Sequence, residues 1–246
     1  MKPPHWSLAL TEAPRVAIEL ASLALTKSRL EKLPRGDGHG VMVIPGFMGD
    51  DPFNNALVNF LNGLGYRASG WQMGRNLGPA SFSSDDLRVK IERLLNAGGG
   101  QISIIGHSLG GIYAREIARK EPGVIRQVIS LGSPFGDGRD TGSNASKLFN
   151  RLNPNSETDP ELVAQKKELA KAPPVPTTSI YTKEDGVVNW RTAIQEKDHH
   201  QTQNIQVVGS HCGLTLNPTV WYLVADRLRH TQTSWQPFQS KFFNHH

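Results

Sequence analysis

Cysteine is nearly absent from this chain of 246 residues: Cys212 is the only one. An intrachain disulfide and a thiolate metal cluster are thereby excluded. No stretch approaches the roughly 20 apolar residues of a membrane-spanning helix. Clustered positive charge is also missing. The 27 basic residues outnumber the 22 acidic ones and give a net charge of +5. The densest groups ("ARK", "QKK", "RLR") hold only two cations each, which argues against a nucleic-acid surface. Nine histidines are present, but none stands in an H-E-x-x-H frame. The N-terminus lacks a clean secretory core, because Thr11, Glu12, Pro14, Arg15 and Glu19 interrupt it. A cytoplasmic protein is the expectation from that segment.

What is there is a regular alternation of strand-like and helix-like segments. Val16, Leu20, Leu23, Leu30 and Leu33 recur at helical spacing, predicting an amphipathic helix over 14–33, within an N-terminal segment 1–35, that docks on its own domain. "VMVIPGF" (41–47) is a continuous apolar run of the kind found in a strand buried on both faces. Asp51-Pro52 opens a helix that Gly65 ends, Ser83 or Ser84 caps another, and Pro218 stands in the first turn of the last. Strands are expected at 41–47, 66–73, 101–106, 124–132, 177–182 and 205–210. Alternation at this spacing means a parallel sheet covered on both sides, in one domain spanning 1–246. Residues 134–176 break the rhythm. They are rich in Gly, Ser, Asn and Pro, and "ASKLFNRL" and "PELVAQKKELAK" could each form a short helix. A cap or crossover insertion is expected over 136–174, with a lid over 136–172 as one form of it. Residues 231–246 read as a tail.

The chemistry starts at "GHSLG". It follows the expected buried strand "QISII" and precedes the helix "LGGIYAREIARK", which is the setting a G-x-S-x-G nucleophile elbow requires. Gly106 and Gly110 keep side chains out of the space where strand and helix meet, and Ser108 is displayed at the carboxyl end of the sheet. A serine needs a base, and the base needs an orienting carboxylate, in the chain order Ser, Asp or Glu, His. "SIYTKEDGVV" supplies Asp185, preferred over Glu184 because Gly186-Val187-Val188 makes a tight loop around it. "IQVVGSHCGL" supplies His211. His199 and His200 precede the last strand and fall at its other end, while His107 is expected to pack rather than react. The oxyanion of acyl transfer calls for backbone donors. Leu109 N–H, after the nucleophile, is one. Phe47 N–H in "IPGFMG" is the other, with Met48 N–H as alternative. Trp71, Trp190 and Trp221 read as core, and Cys212 as a small buried filler. "GRNLGP" (74–79) follows a strand and can line the site.

The ordered set "VIPGFMGDD", "LGYRASGWQMGRNLGP", "IIGHSLGGIYAREIA", "LGSPF", "EDGVV" and "GSHCGL" resembles the α/β-hydrolase superfamily, in particular its small bacterial lipase- and esterase-like members. The resemblance covers about residues 36–225. It implies an α/β-hydrolase fold, about six mostly parallel strands flanked by helices, with Ser108, Asp185 and His211 as triad. Pro45-Gly46 stands where many lipases carry His-Gly. Hydrolysis of a small-molecule or lipid ester without metal or organic cofactor is the expected activity. Thioester, amide and acyl-transfer chemistry use the same residues, because function lies in the pocket rather than the fold. A non-enzymatic binder has no need of all three residues. Peripheral lipid contact through the 14–33 helix and the aromatic tail is a further reading.

Overall fold

The computed structural model describes residues 2–136, 142–154, 158, 160, 168–196 and 199–239. The run Gly40–Ile44 offers no polar side chain to hold one face in water, and it forms strand β1 with every residue buried. Its neighbours are β2 (Arg67–Gly70) on one edge and β3 (Ile102–His107) on the other. β4 (Ile125–Leu131), β5 (Thr177–Thr182) and β6 (Thr202–Val207) follow outward from β3. The order is β2-β1-β3-β4-β5-β6, and every pair is parallel.

Parallel strands need crossovers, and the helices supply them. α3 (Asp51–Gly63) leads from β1 to β2, α4 (Ser84–Gly98) from β2 to β3, and α5 (Leu109–Lys120) from β3 to β4. α6 (Ser146–Leu152) lies in the long insertion, and α7 (Pro218–Leu228) follows β6. Two N-terminal helices, the short α1 (Trp6–Leu10) and the long α2 (Glu12–Leu30), precede the sheet. Alternation along β1 divides the core: Val41 and Val43 face Leu57, Leu61, Leu223 and Val224, whereas Met42 and Ile44 face Leu87, Ile91, Ala114 and Ile117. Leu23 and Leu30 bring α2 onto the first of these layers.

Boundaries differ from the sequence expectation where polar residues are involved. The N-terminal helix begins at Glu12 rather than 14, since a proline in the first turn removes only an N–H that would be unpaired anyway. β6 runs over 202–207 rather than 205–210. Its first residues are polar yet buried, because Asn204 exchanges hydrogen bonds with the Gln195 backbone and Gln203 with that of Phe238. Ser83, not Ser84, caps α4 through its hydroxyl, which accepts from Asp86 N–H. Of the two short helices expected in the insertion, 146–152 is present. Most of 160–171 and the end of the tail, 240–246, lie outside the described residues.

The close approach of β1, β3 and α5 rests on glycine. A Cβ on Gly110 would stand 2.4 Å from the Ile44 carbonyl oxygen, and one on Gly106 2.3 Å from that of Gly110. Alanine in a helix is ordinarily favoured over glycine by about 1 kcal/mol. Here the added methyl meets backbone that cannot step aside, so Gly110→Ala is expected to destabilise the protein by about 2–3 kcal/mol. The denaturant midpoint reads this directly, and a raised midpoint would contradict the contact.

Candidate active site

The chain moves from β1 to β2 on one side, then crosses back to β3 on the other. The carboxyl ends of β1 and β3 therefore diverge, which opens a crevice at the switch point of the sheet. β3 ends at His107 and α5 begins at Leu109, so one residue makes the whole turn. That residue, Ser108, has φ 50° and ψ −120°, a conformation that L residues seldom adopt. Hydrogen bonds hold it there: Ser108 N–H donates to the Leu131 carbonyl at 2.8 Å, and Gly111 N–H to the Ser108 carbonyl at 3.0 Å. Ser108 Oγ makes no hydrogen bond among the described residues. Such contacts commonly tighten only once substrate is bound.

The loops after β5 and β6 bring Asp185 and His211 together. His211 Nδ1 lies 2.6 Å from Asp185 Oδ2, and both side chains are almost fully buried. Val187 and Val188 N–H donate to the other oxygen, Oδ1, at 2.8 and 2.7 Å, and so fix the carboxylate plane. Gly132, at the end of β4 with φ 57°, leaves room for the pair. A Cβ there would lie 3.2 Å from His211 Nδ1. Burial opposes a charge on His211, but the Asp185 carboxylate outweighs it and raises the imidazole above its ordinary pKa. His107 does more than pack. Its Nε2–H donates to the His211 carbonyl at 2.9 Å, linking the elbow to the loop that carries His211. Burial and the neighbouring His211 push the His107 pKa down to about 4, so its ring stays neutral.

The loop after β1 meets the elbow from the other side. A Cβ on Gly46 would come 3.0 Å from the Ser108 Cβ, which shows how near the two backbones run. Gly49 N–H closes a turn onto the Gly46 carbonyl at 2.9 Å, with Met48 at φ 66°. Met48 N–H is spent on the Asn76 carbonyl at 2.7 Å, so the alternative oxyanion donor is already engaged. Phe47 N–H and Leu109 N–H have no acceptor among the described residues, the latter because the first N–H groups of a helix lack an intrahelical partner. Asn76 was not singled out by the sequence beyond its place in "GRNLGP". It is fully buried, donates from Nδ2 to the Pro45 carbonyl at 2.8 Å, and pairs its backbone N–H with the Gly49 carbonyl at 2.8 Å. One asparagine thus holds both ends of the turn.

The same residue types meet again at the opposite end of the sheet. His39 Nε2 lies 2.8 Å from Ser103 Oγ and His39 Nδ1 2.5 Å from Asp37 Oδ1. Ser103 is wholly buried within β3, so no substrate reaches it, and the three form a structural network. His199 bonds the Pro173 carbonyl at 2.9 Å ahead of β6, away from the site. Glu184 is exposed. Trp71 and Trp221 are core residues, while Trp190 is half-buried against Tyr181. Cys212, expected as a buried filler, is exposed. The turn Leu214–Leu216 carries Leu214 into the core instead.

A parallel sheet in this strand order, with a strained serine between β3 and α5 and an acid and a histidine after the last two strands, is the α/β-hydrolase fold. Solved structures agree. LipS and LipT, described as two metagenome-derived lipolytic enzymes, include a chain with TM-score 0.56 and 15% identity over 79% of this chain and 93% of that one. A thioesterase domain from the curacin biosynthetic pathway gives 0.53 and 15%, over 79% and 92%. Alpha/beta hydrolase domain-containing protein 10 from mouse gives 0.53 and 16%, over 78% and 88%. No family model and no curated protein sequence matches the chain. No described helix is long and apolar enough to cross a membrane.

Proposed function

We propose that the protein is a serine hydrolase of carboxylic esters, with Ser108 as nucleophile, His211 as base and Asp185 as its orienting acid. The observation that carries this reading is the buried Asp185–His211 pair, 2.6 Å apart, at the same edge of the sheet as a strained serine with two unclaimed backbone N–H groups beside it. His211 takes the Ser108 proton as Oγ attacks the ester carbonyl. Phe47 and Leu109 N–H receive the developing oxyanion. The tetrahedral intermediate collapses, the alcohol leaves with the proton from His211, and an acyl-enzyme remains. Water gives a proton to His211, attacks the acyl carbon, and a second collapse returns that proton to Ser108 and frees the acid.

The rim beside the Phe47 turn is apolar. Phe47 meets Phe149 of α6 edge to face at 5.3 Å, and Asn153 Nδ2 donates to the carbonyls of both Leu77 and Phe149. Met48, Leu77, Leu148 and Leu152 are exposed around this junction. Such a rim favours apolar acyl groups. Burying a methylene contributes about 0.8 kcal/mol, so kcat/KM is expected to rise by up to about fourfold per added carbon until the rim is filled. A 4-nitrophenyl ester series from acetyl to palmitoyl measures this. In parallel, an alkyl fluorophosphonate is expected to stop turnover and leave one adduct on the Ser108 peptide, seen by mass spectrometry. An inert ester series together with an unlabelled Ser108 would sink the reading.

A further inference from the structure

Helix α2 buries two carboxylates beside its core residues Leu23 and Leu30, while some of its apolar residues stay exposed. Glu12 and Glu19 are 8% and 6% exposed, whereas Ile18 and Leu25 are 64% and 83% exposed. A carboxylate leaves water only where other donors replace its hydration. Here the donors belong to the two loops that carry Asp185 and His211. Glu12 Oε1 accepts from Gly186 N–H at 2.9 Å and from His211 N–H at 3.1 Å, and Oε2 accepts from Cys212 N–H at 2.9 Å. Arg15 pairs with Glu12 at 3.0 Å and donates from Nη1 to the Glu184 carbonyl at 2.6 Å and the Gly209 carbonyl at 3.1 Å. One turn of α2 therefore grips backbone on both sides of Asp185 and on both sides of His211. The sheet cannot do this, because the β5–β6 pairing ends at Thr182 and Val207, three and four residues short of the two side chains. The contact is also tight: a Cβ on Gly186 would lie 2.5 Å from the Leu8 carbonyl oxygen of α1.

We infer that Glu12 and Arg15 are positioning residues of the active site, which lock the loops bearing Asp185 and His211 into register with each other. This rests on the reading of those two residues as acid and base. Reacting groups need their geometry held to fractions of an ångström, and a displacement of about 1 Å lowers rates by about a hundredfold. Glutamine at position 12 keeps one acceptor and turns an NH2 group toward backbone N–H donors, so at least one grip is lost. The substitution also removes a negative charge beside the base. The titratable groups around His211 are Asp185 from the β5 loop, Glu12 and Glu19 from α2, the latter accepting from the adjoining Ser210 N–H at 3.0 Å, His107 at the end of β3 and the adjacent Cys212, with Arg15 bound to Glu12. Asp185 is the main influence raising His211, and Glu12 adds to it. The base must be neutral to accept a proton, so activity falls as pH drops through its pKa. The acid limb of kcat/KM in the wild type is therefore expected above the ordinary imidazole range, and in Glu12→Gln at lower pH.

The experiment compares wild type, Glu12→Gln and, as control, Glu31→Gln, which removes a charge from the exposed end of the same helix. Hydrolysis of 4-nitrophenyl butyrate is followed against pH, with kcat expressed per site titrated by fluorophosphonate. Glu12→Gln is expected to lose about 10- to 100-fold in kcat with little change in KM, and to shift its acid limb downward, while the control keeps both. Wild-type kcat per titrated site with the limb in place would overturn the inference, even if the melting temperature fell, because Glu12 would then serve the fold alone. Should Glu12→Gln fail to fold, Arg15→Ala decides: a loss in kcat at constant KM supports the grip, and unchanged kcat overturns it. A wild type that fluorophosphonate does not label at Ser108 fails the ester-hydrolase reading itself.

Discussion

Ser108→Ala is expected to lower kcat/KM for 4-nitrophenyl esters by a factor on the order of 10⁴–10⁶. On the proposed reading of Ser108 as nucleophile, neither adjoining residue can replace it. His107 turns its ring toward the His211 carbonyl, and neither it nor Leu109 offers a hydroxyl. What remains in the variant is binding and the two backbone donors, which alone sustain a small residual rate above that of water. The fold should be untouched. Alanine keeps the Cβ that already tolerates φ 50°, and Ser108 Oγ has no partner among the described residues to strand. Ser103→Ala is the informative contrast, since it removes a bonded hydroxyl from His39. It is expected to lower the melting temperature and leave kcat intact. A Ser108→Ala enzyme within tenfold of wild type would exclude Ser108 as nucleophile.

The features readable in the sequence are those with a local cause. The apolar run of β1 betrayed a strand covered on both faces, and β3 and β4 showed β-branched residues broken by only a few polar ones. The elbow was readable because the turn demands small residues at fixed offsets, and Asp185 and His211 because each follows its strand within a few residues. Features that depend on distant partners left no such pattern. Glu12 lies 199 residues from the backbone N–H of His211 that it accepts. In the sequence it reads only as a charge that spoils a secretory segment. The polar start of β6 was missed for the same reason, since Gln203 and Asn204 are buried by virtue of partners elsewhere. Asn76 sat within a noted stretch, but nothing in "GRNLGP" says that one of its residues clamps the loop after β1.

Asp185→Asn is expected to lower kcat by about 10⁴-fold without unfolding the protein. The reason lies in the loop rather than in the loss of charge alone. Val187 and Val188 N–H both point at Oδ1, so an asparagine must keep its carbonyl oxygen there. Its NH2 group is then turned toward His211 Nδ1, where the carboxylate now accepts a proton at 2.6 Å. Facing a donor, Nδ1 has to give up its proton and become the acceptor, and the proton moves to Nε2. An imidazole protonated at Nε2 has no lone pair to offer Ser108. The carboxylate that raises the His211 pKa is removed at the same time, so the acid limb of the residual activity is expected at lower pH than in the wild type. Asp185→Ala should behave differently. It strands two backbone N–H groups in a buried loop, at about 1–3 kcal/mol for each unsatisfied group, and should lower the melting temperature as well as kcat. Wild-type kcat in Asp185→Asn, measured on protein with an unchanged melting temperature, would show that the pair is structural and that the base for Ser108 lies elsewhere.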